Sequence, residues 1–244
     1  MKISVIASGS NGNCCLVEKK DSAILIDAGK SGKQIEERMH RLGKSIENID
    51  GIIITHSHHD HICGAGVLAR RYNIPLFMSK ETFNESRFKI GSAEINQFKR
   101  SFRIGSLDIK PIPTSHKVHS HGFKIGDFGL FTDTGIVTPE MKATIPKLKA
   151  VLLETNHDID MVLNGYYPAF LKQWILSDIG HLNNIDAANL IEQKGVNLNT
   201  ALLGHLSGNN NTKEVVEKTF RQLVKRKIDF SVLDRDKESG TWDV

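Results

Sequence analysis

The chain has 244 residues, 39% hydrophobic and 25% charged, with a formal net charge of +4. That length fits one large domain of ordinary globular composition, and no apolar run approaches the ~20 residues of a membrane span. The mild basic excess is compatible with a polyanionic substrate, although each basic cluster (residues 70–71, 98–103 and 224–228) reads singly as a solvated face.

The opening MKISVIASGSNGNCC turns polar too soon for a signal peptide and reads as a strand followed by a turn. Cys14 and Cys15 are adjacent and Cys63 is isolated, so no disulfide framework is expected and a cytoplasmic protein is. Apolar runs rich in Ile, Val and Leu then recur at 2–7, 14–18, 23–28, 51–55, 107–113, 122–125, 129–134, 150–155, 200–205 and 229–233, and read as strands. Between them lie helical patterns. Residues 31–43 put Ile35, Met39 and Leu42 on one face and stop at Gly43. Residues 64–72 read as a helix just after a histidine cluster. Residues 183–195 offer Asn183 or Asn184 as N-cap and Gly195 past the end, and 211–226 is amphipathic. The hairpin-like succession over 1–28 and 107–134 predicts antiparallel stretches. The whole predicts an α/β protein with a mixed sheet or two sheets, as a single domain over 1–244.

THSHHDH, residues 55–61, follows a buried strand. Imidazole and carboxylate are metal-ligand chemistry. His56 and His58, two apart at a strand end, share a face and can grip one ion. Asp60 and His61 follow as the chain turns toward a helix and can serve a second ion, with His59 out of phase with both pairs. The pattern continues elsewhere. His116 follows another apolar strand, with His119 and His121 trailing it, and Asp133 and His205 end two more. Ligands converging from several strand ends describe a site on one rim of a sheet.

Other stretches bear on the substrate. GSNGN (9–13) is a turn whose amides, with Ser10 and Asn13, offer contacts to a phosphate. His181 stands near a predicted helix start, a natural phosphate position. It rivals His205 as a ligand, because GHLN echoes GHLS. His205 is preferred, since it ends an apolar strand. His181 is then left to bind phosphate or to protonate a leaving oxygen. Asn156 and His157 follow strand 150–155 as candidate substrate contacts or structural residues, and Cys63 reads as packing.

His-x-His-x-Asp-His after a strand, then a lone His, an Asp in Thr-Asp-Thr-Gly and a final Gly-His resemble the metallo-β-lactamase superfamily. LIDAG, with Asp27, is similar to its first motif, where an Asp supports the site loop. The resemblance extends to the WalJ/YycJ branch, through ASGSNGN (7–13), LIDAGKSGKQI (25–35), THSHHDHICGAGVLARRYNIP (55–75), FTDTG, LLETNHD (152–158), SDIGHLNN (177–184) and LGHLSGNNN (203–211). Lys117 departs from it, since that branch tends to carry an acidic residue after the His. The resemblance implies a four-layer αββα sandwich with mixed sheets and a dinuclear metal site of zinc or manganese, with iron as a further option. It implies that His56, His58 and His116 hold the first ion, that Asp60, His61 and His205 hold the second, and that Asp133 bridges them. A metal-bridging hydroxide would be the nucleophile, with Asp60 and His181 as the candidate catalytic groups. The expected activity is a phosphodiesterase, a 5′-to-3′ exonuclease on DNA. The ligands speak against three relatives. The di-iron branch carries Glu where His58 stands, true β-lactamases carry Cys where Asp133 stands, and the β-CASP nucleases need a further domain. Glyoxalase II-type thioesterases share all the ligands and remain an alternative, as does a non-catalytic metal-binding module.

Overall fold

The computed structural model describes residues 1–244 and divides into two compact units, Met1–Lys110 with Asp234–Val244, and Pro111–Leu233.

In the first unit, β1 (Lys2–Ala7), β2 (Cys14–Lys19) and β3 (Ser22–Ile26) pair antiparallel in succession, as the hairpin-like spacing predicts. Beyond β3 the sheet becomes parallel. β4 (Gly51–Ile53), β5 (Leu76–Ser79) and β6 (Ile95–Phe98) add one beside the next. Each parallel step needs a crossover. These are α1 (Gly32–Arg41), then the single turn α2 (His59–Ile62) with α3 (Ala65–Tyr72), then α4 (Lys80–Ile90). The C-terminal strand Gly240–Asp243 pairs antiparallel with β1 at the opposite edge. Because β1 and β3 both oppose β2, the exits of β1, β3 and β4 lie on the same rim.

α1 shows how the sequence sets an element. Ser31 and Gln34 form a capping box, Arg38, His40 and Arg41 favour the last turn, and Gly43 takes φ +69° beyond it. Ile35 and Met39, one turn apart, are fully buried among sheet residues such as Leu16, Leu25 and Ile52. Burying each such side chain contributes about 1.5–3 kcal/mol.

β4 ends earlier than its apolar run. The Thr55 amide is taken by the Asp27 carboxylate at 2.8 Å and not by a neighbouring strand, so the ladder stops at Ile53. His56 and His58 therefore stand in a loop, and α2 opens at His59. β5, β6 and α4 are not legible in the sequence. β5 and β6 have four residues each, and the β6 residues Asn96 and Gln97 break any apolar run.

A hairpin of β7 (Phe102–Ile104) and β8 (Leu107–Pro113) pairs Phe102 with Ile109, and β8 carries the chain past Lys110. In the second unit β9 (His121–Ile125) is antiparallel to β10 (Phe128–Phe131). β11 (Ala150–Glu154), β12 (Thr200–Gly204) and β13 (Asp229–Val232) then continue from β10 in parallel. The crossovers hold α5 (Pro139–Thr144), then α6 (Ile159–Asn164), α7 (Ala169–Ile175) and α8 (Asn184–Lys194), then α9 (Lys213–Leu223). α8 is capped by Asn183 and α9 by Thr212. Phe131, Leu153 and Leu203 of the sheet pack with Met141, Ile191 and Phe220 of the helices. Each unit is thus a mixed sheet carrying helices, the α/β build expected. No helix is long and apolar enough to cross a membrane.

Candidate functional site

In the first unit the loop of candidate ligands is built on Asp27. This residue leaves β3 at φ +62°, a left-handed conformation unusual for a non-glycine residue. Its carboxylate accepts from the Thr55 amide at 2.8 Å, from the Thr55 hydroxyl and from His61 Nδ1 at 2.7 Å. Burial pushes the Asp27 carboxyl up, and His61 and Thr55 oppose that rise. With a proton on Nδ1, His61 keeps the Nε2 lone pair for a metal. Thr55 Oγ1 also lies 3.0 Å from His56 Nδ1, so one carboxylate orients two imidazoles, one directly and one through a hydroxyl. His61 Nε2 is 3.4 Å from Asp60 Oδ2, and the His56 ring lies 4.6 Å from that of His58 and 4.1 Å from that of His61. His59 is exposed, out of phase with the rest as its spacing predicts. Gly29 permits the close packing of these loops, since a Cβ there would fall 1.6 Å from the Asp60 carbonyl oxygen.

In the second unit the corresponding part is played by Glu154, at the end of β11, for which the sequence reading has no role. Its Oε1 accepts from His181 Nδ1 and His205 Nδ1, each at 2.8 Å, and its Oε2 from the amides of Thr134 at 2.9 Å and Leu182 at 3.3 Å. Burial alone would raise this carboxyl, but the charges and hydrogen bonds of His181 and His205 outweigh it and hold it down at about 2. Four donors occupy its oxygens, so Glu154 acts as an orienting carboxylate behind the histidines. His116 is fixed separately, its Nδ1 3.1 Å from the Gly180 carbonyl, and burial pushes its pKa down. The imidazoles of His116 and His205 both turn Nε2 toward Asp133. Oδ1 lies 3.8 Å from His116 Nε2 and Oδ2 3.7 Å from His205 Nε2. Asp133, Glu154, His181 and His205 bring one ligand atom each within 4.8 Å of one another.

The remaining expected site residues separate. His181 precedes α8 in a loop, three residues before the helix begins at Asn184, so Glu154 and not the helix holds it. It is the one histidine of the second-unit group with an exposed portion, 13% of its side chain against 0% for His116 and His205. Ser10 is exposed at the tip of its turn. Asn13 is buried and closes that turn, accepting from the Gly9 amide and donating to the Gly9 carbonyl, and its Nδ2 lies 3.0 Å from His61 Nε2. Asn156 is buried and donates to the His205 carbonyl at 2.9 Å. His157 is 1% exposed, and burial lowers its pKa to about 4, so it is a neutral interior histidine. His119 and His121 meet edge to face with ring centroids 4.8 Å apart. Cys14 and Cys15 are buried thiols pushed up by burial, which is unsuited to thiolate chemistry.

The chain is similar to known proteins. A family model described as the metallo-beta-lactamase superfamily matches residues 7–143. The exodeoxyribonuclease WalJ of Streptococcus pneumoniae is 36% identical over 98% of this chain and 96% of its own. The exodeoxyribonuclease YycJ of Bacillus anthracis is 35% identical over 93% of this chain and 90% of its own. The solved metallo-beta-lactamase fold protein YhfI from Bacillus subtilis covers 99% of this chain and 98% of that one, with a TM-score of 0.76 at 18% identity, and so shares the fold.

Proposed function

The chain belongs to the metallo-beta-lactamase superfamily, and from that premise we propose that it is a metal-dependent phosphodiesterase, an exonuclease acting on DNA with 5′-to-3′ polarity. In this reading His56, His58 and His116 would hold one divalent ion, Asp60, His61 and His205 would hold the other, and Asp133 would serve both. The observation that carries it is the posture of Asp133, whose two oxygens face the Nε2 atoms of two different histidines. The donor set of imidazole and carboxylate suits zinc, manganese or iron. When bound, such ions lower the pKa of a water and offset the negative charge that builds on the phosphoryl oxygens.

The protein's own groups do the rest. Asp27 and Glu154 accept from the Nδ1 atoms of His61 and His205, which makes Nε2 the ligating atom of each. His181, held by Glu154 and partly exposed, protonates the departing oxygen of the cleaved strand. The two units act as one domain over 1–244; the family pattern over 7–143 draws on both and supports this. A cytoplasmic location completes the reading, supported by three free cysteines.

End-labelled single-stranded and duplex DNA and RNA, incubated with Mn²⁺ or Zn²⁺ beside a His58→Ala control, test it. Shortening from the 5′ end by the wild type alone is expected, and no divalent-dependent cleavage of any of them would sink the proposal. S-lactoylglutathione and bis-p-nitrophenyl phosphate in parallel expose a thioesterase or a small-ester hydrolase. Stoichiometric metal without turnover of any substrate would indicate a binding module.

A further inference from the structure

The opening turn is crossed by two cations, neither of which takes part in the proposed metal chemistry. Gly9 and Gly12 sit at φ +155° and +143°, where side chains are rarely accommodated. A Cβ at Gly9 would lie 2.8 Å from Arg235 Cγ, and one at Gly12 would lie 2.7 Å from Lys30 Cδ. The glycines are therefore the places where two cationic stems cross the turn. Topology explains the meeting. The turn leaves β1 and residue 30 lies beyond the exit of β3, on the same rim. Residues 234–239 lead into the C-terminal strand, which starts opposite Val5.

The arrangement is held in place. Arg38, buried on α1, donates to the Ile6 carbonyl at 3.1 Å and to the Asp236 carbonyl at 2.6 Å. Arg41 forks onto Glu238 at 2.7 and 2.9 Å, and the Ser239 amide donates to the Val5 carbonyl. Arg235 Nε is buried and meets no protein acceptor. The charges of Arg38 and Arg235 both act on Lys30, with Asp236 and Asp60 as the opposing acids. Burial, and then the two arginines, push the Lys30 ammonium down. Crowded cations of this kind gain from an anion placed between them. The turn also abuts the ligand pair, because the Asn13 amide donates to the Asp60 carbonyl at 2.8 Å.

We propose that Lys30 and Arg235 form a phosphate cradle over the Gly9–Asn13 turn that takes the terminal phosphate of a nucleic-acid strand. This rests on reading the neighbouring residues as a nuclease centre. A terminal monoester carries nearly one charge more than an internal diester. Two converging cations reward that extra charge, which gives an exonuclease a means of finding an end. Arg235 supplies a planar fork and Lys30 a point charge.

The test compares single-stranded DNA oligonucleotides ending in 5′-phosphate, 5′-hydroxyl and 3′-phosphate, with metal-loaded wild type, Lys30→Gln, Arg235→Gln, the double variant and Arg235→Lys. The readout is the ratio of kcat/KM for a phosphorylated over an unphosphorylated end, with melting temperature and metal content as folding controls. The wild type should prefer one phosphorylated end roughly tenfold or more, the scale of charge-assisted hydrogen bonds to phosphate. The double variant should lose that preference, Arg235→Lys should keep most of it, and the salt slope of log KM should fall by about one per cation removed. Unchanged end preference and salt slope in the folded double variant would overturn the cradle and leave the nuclease reading intact. A wild type that cleaves no nucleic acid would remove the nuclease reading itself.

Discussion

Replacing Glu154 with Gln changes one atom and tests the logic of the second-unit site. Oε1 serves the two histidines and Oε2 serves the amides of Thr134 and Leu182. An amide has one acceptor oxygen, so either orientation fails one pair. If NH₂ replaces Oε2, two buried backbone donors lose their acceptor, at about 1–3 kcal/mol each. If NH₂ replaces Oε1, both imidazoles must accept at Nδ1 and carry their protons on Nε2, which removes the His205 lone pair that would bind metal. Loss of the charge adds to either cost. The apo-protein should therefore lose about 2–6 kcal/mol in urea unfolding. Metal affinity by chelator competition should fall roughly ten- to a hundredfold, the usual effect of removing a carboxylate behind a ligating histidine. Wild-type unfolding free energy within about 0.5 kcal/mol, together with unaltered metal affinity, would refute the orienting role.

Other expectations are more compact. His59→Ala should retain full metal stoichiometry by elemental analysis, because His59 is exposed, whereas His58→Ala or Asp60→Ala should lose metal; equal losses in all three would overturn the assignment. His157 is held neutral in the folded chain, its pKa lowered by burial from 6.5 to about 4. The unfolded chain therefore binds the extra proton between those values, and stability falls as pH drops from 6.5 toward 4. The full effect is about 3 kcal/mol. Metal-free His157→Gln should lack that component in unfolding curves taken across this window. An acid dependence identical to wild type would contradict the assignment.

The sequence carried much of this because ligand chemistry is local. Two candidate ligand pairs within seven residues, and lone candidate ligands after apolar strands, can be read from spacing alone. The strand register around them is less legible. β4 stops short because a side chain 28 positions earlier, Asp27, captures the Thr55 amide. Glu154 was invisible for the same kind of reason. A glutamate closing AVLLE resembles any strand end, and its purpose depends on histidines 27 and 51 positions further on. Asn13, Asn156 and His157 are polar and follow apolar strands, which suggests substrate contact or a structural role. The structure buries all three, and the two asparagines hold loops together. A signal for Glu154 did exist: an acid at a fully apolar strand exit incurs a desolvation cost that persists only when donors meet it.

Backbone conformation points to the same residues independently of side-chain chemistry. Of five non-glycine residues at positive φ, Lys20 lies in the β2–β3 turn and Asn73 caps α3. The other three are Asp27, Asp133 and His205, each one or two residues beyond the end of a strand. A strand alternates its side chains between the two faces, so aiming one along the rim requires the backbone to leave the extended region, and a single left-handed residue does this abruptly. Such residues cost about 1–3 kcal/mol and persist where function keeps them. At Asp133, φ +56°, the idea can be separated from metal binding. Asp133→Gly and Asp133→Ala both remove the carboxylate, but only glycine tolerates the backbone freely. In metal-free protein the glycine variant should be the more stable by about 1 kcal/mol, although glycine is ordinarily the less stable choice. An alanine variant as stable as the glycine one would mean that the turn at Asp133 carries no strain.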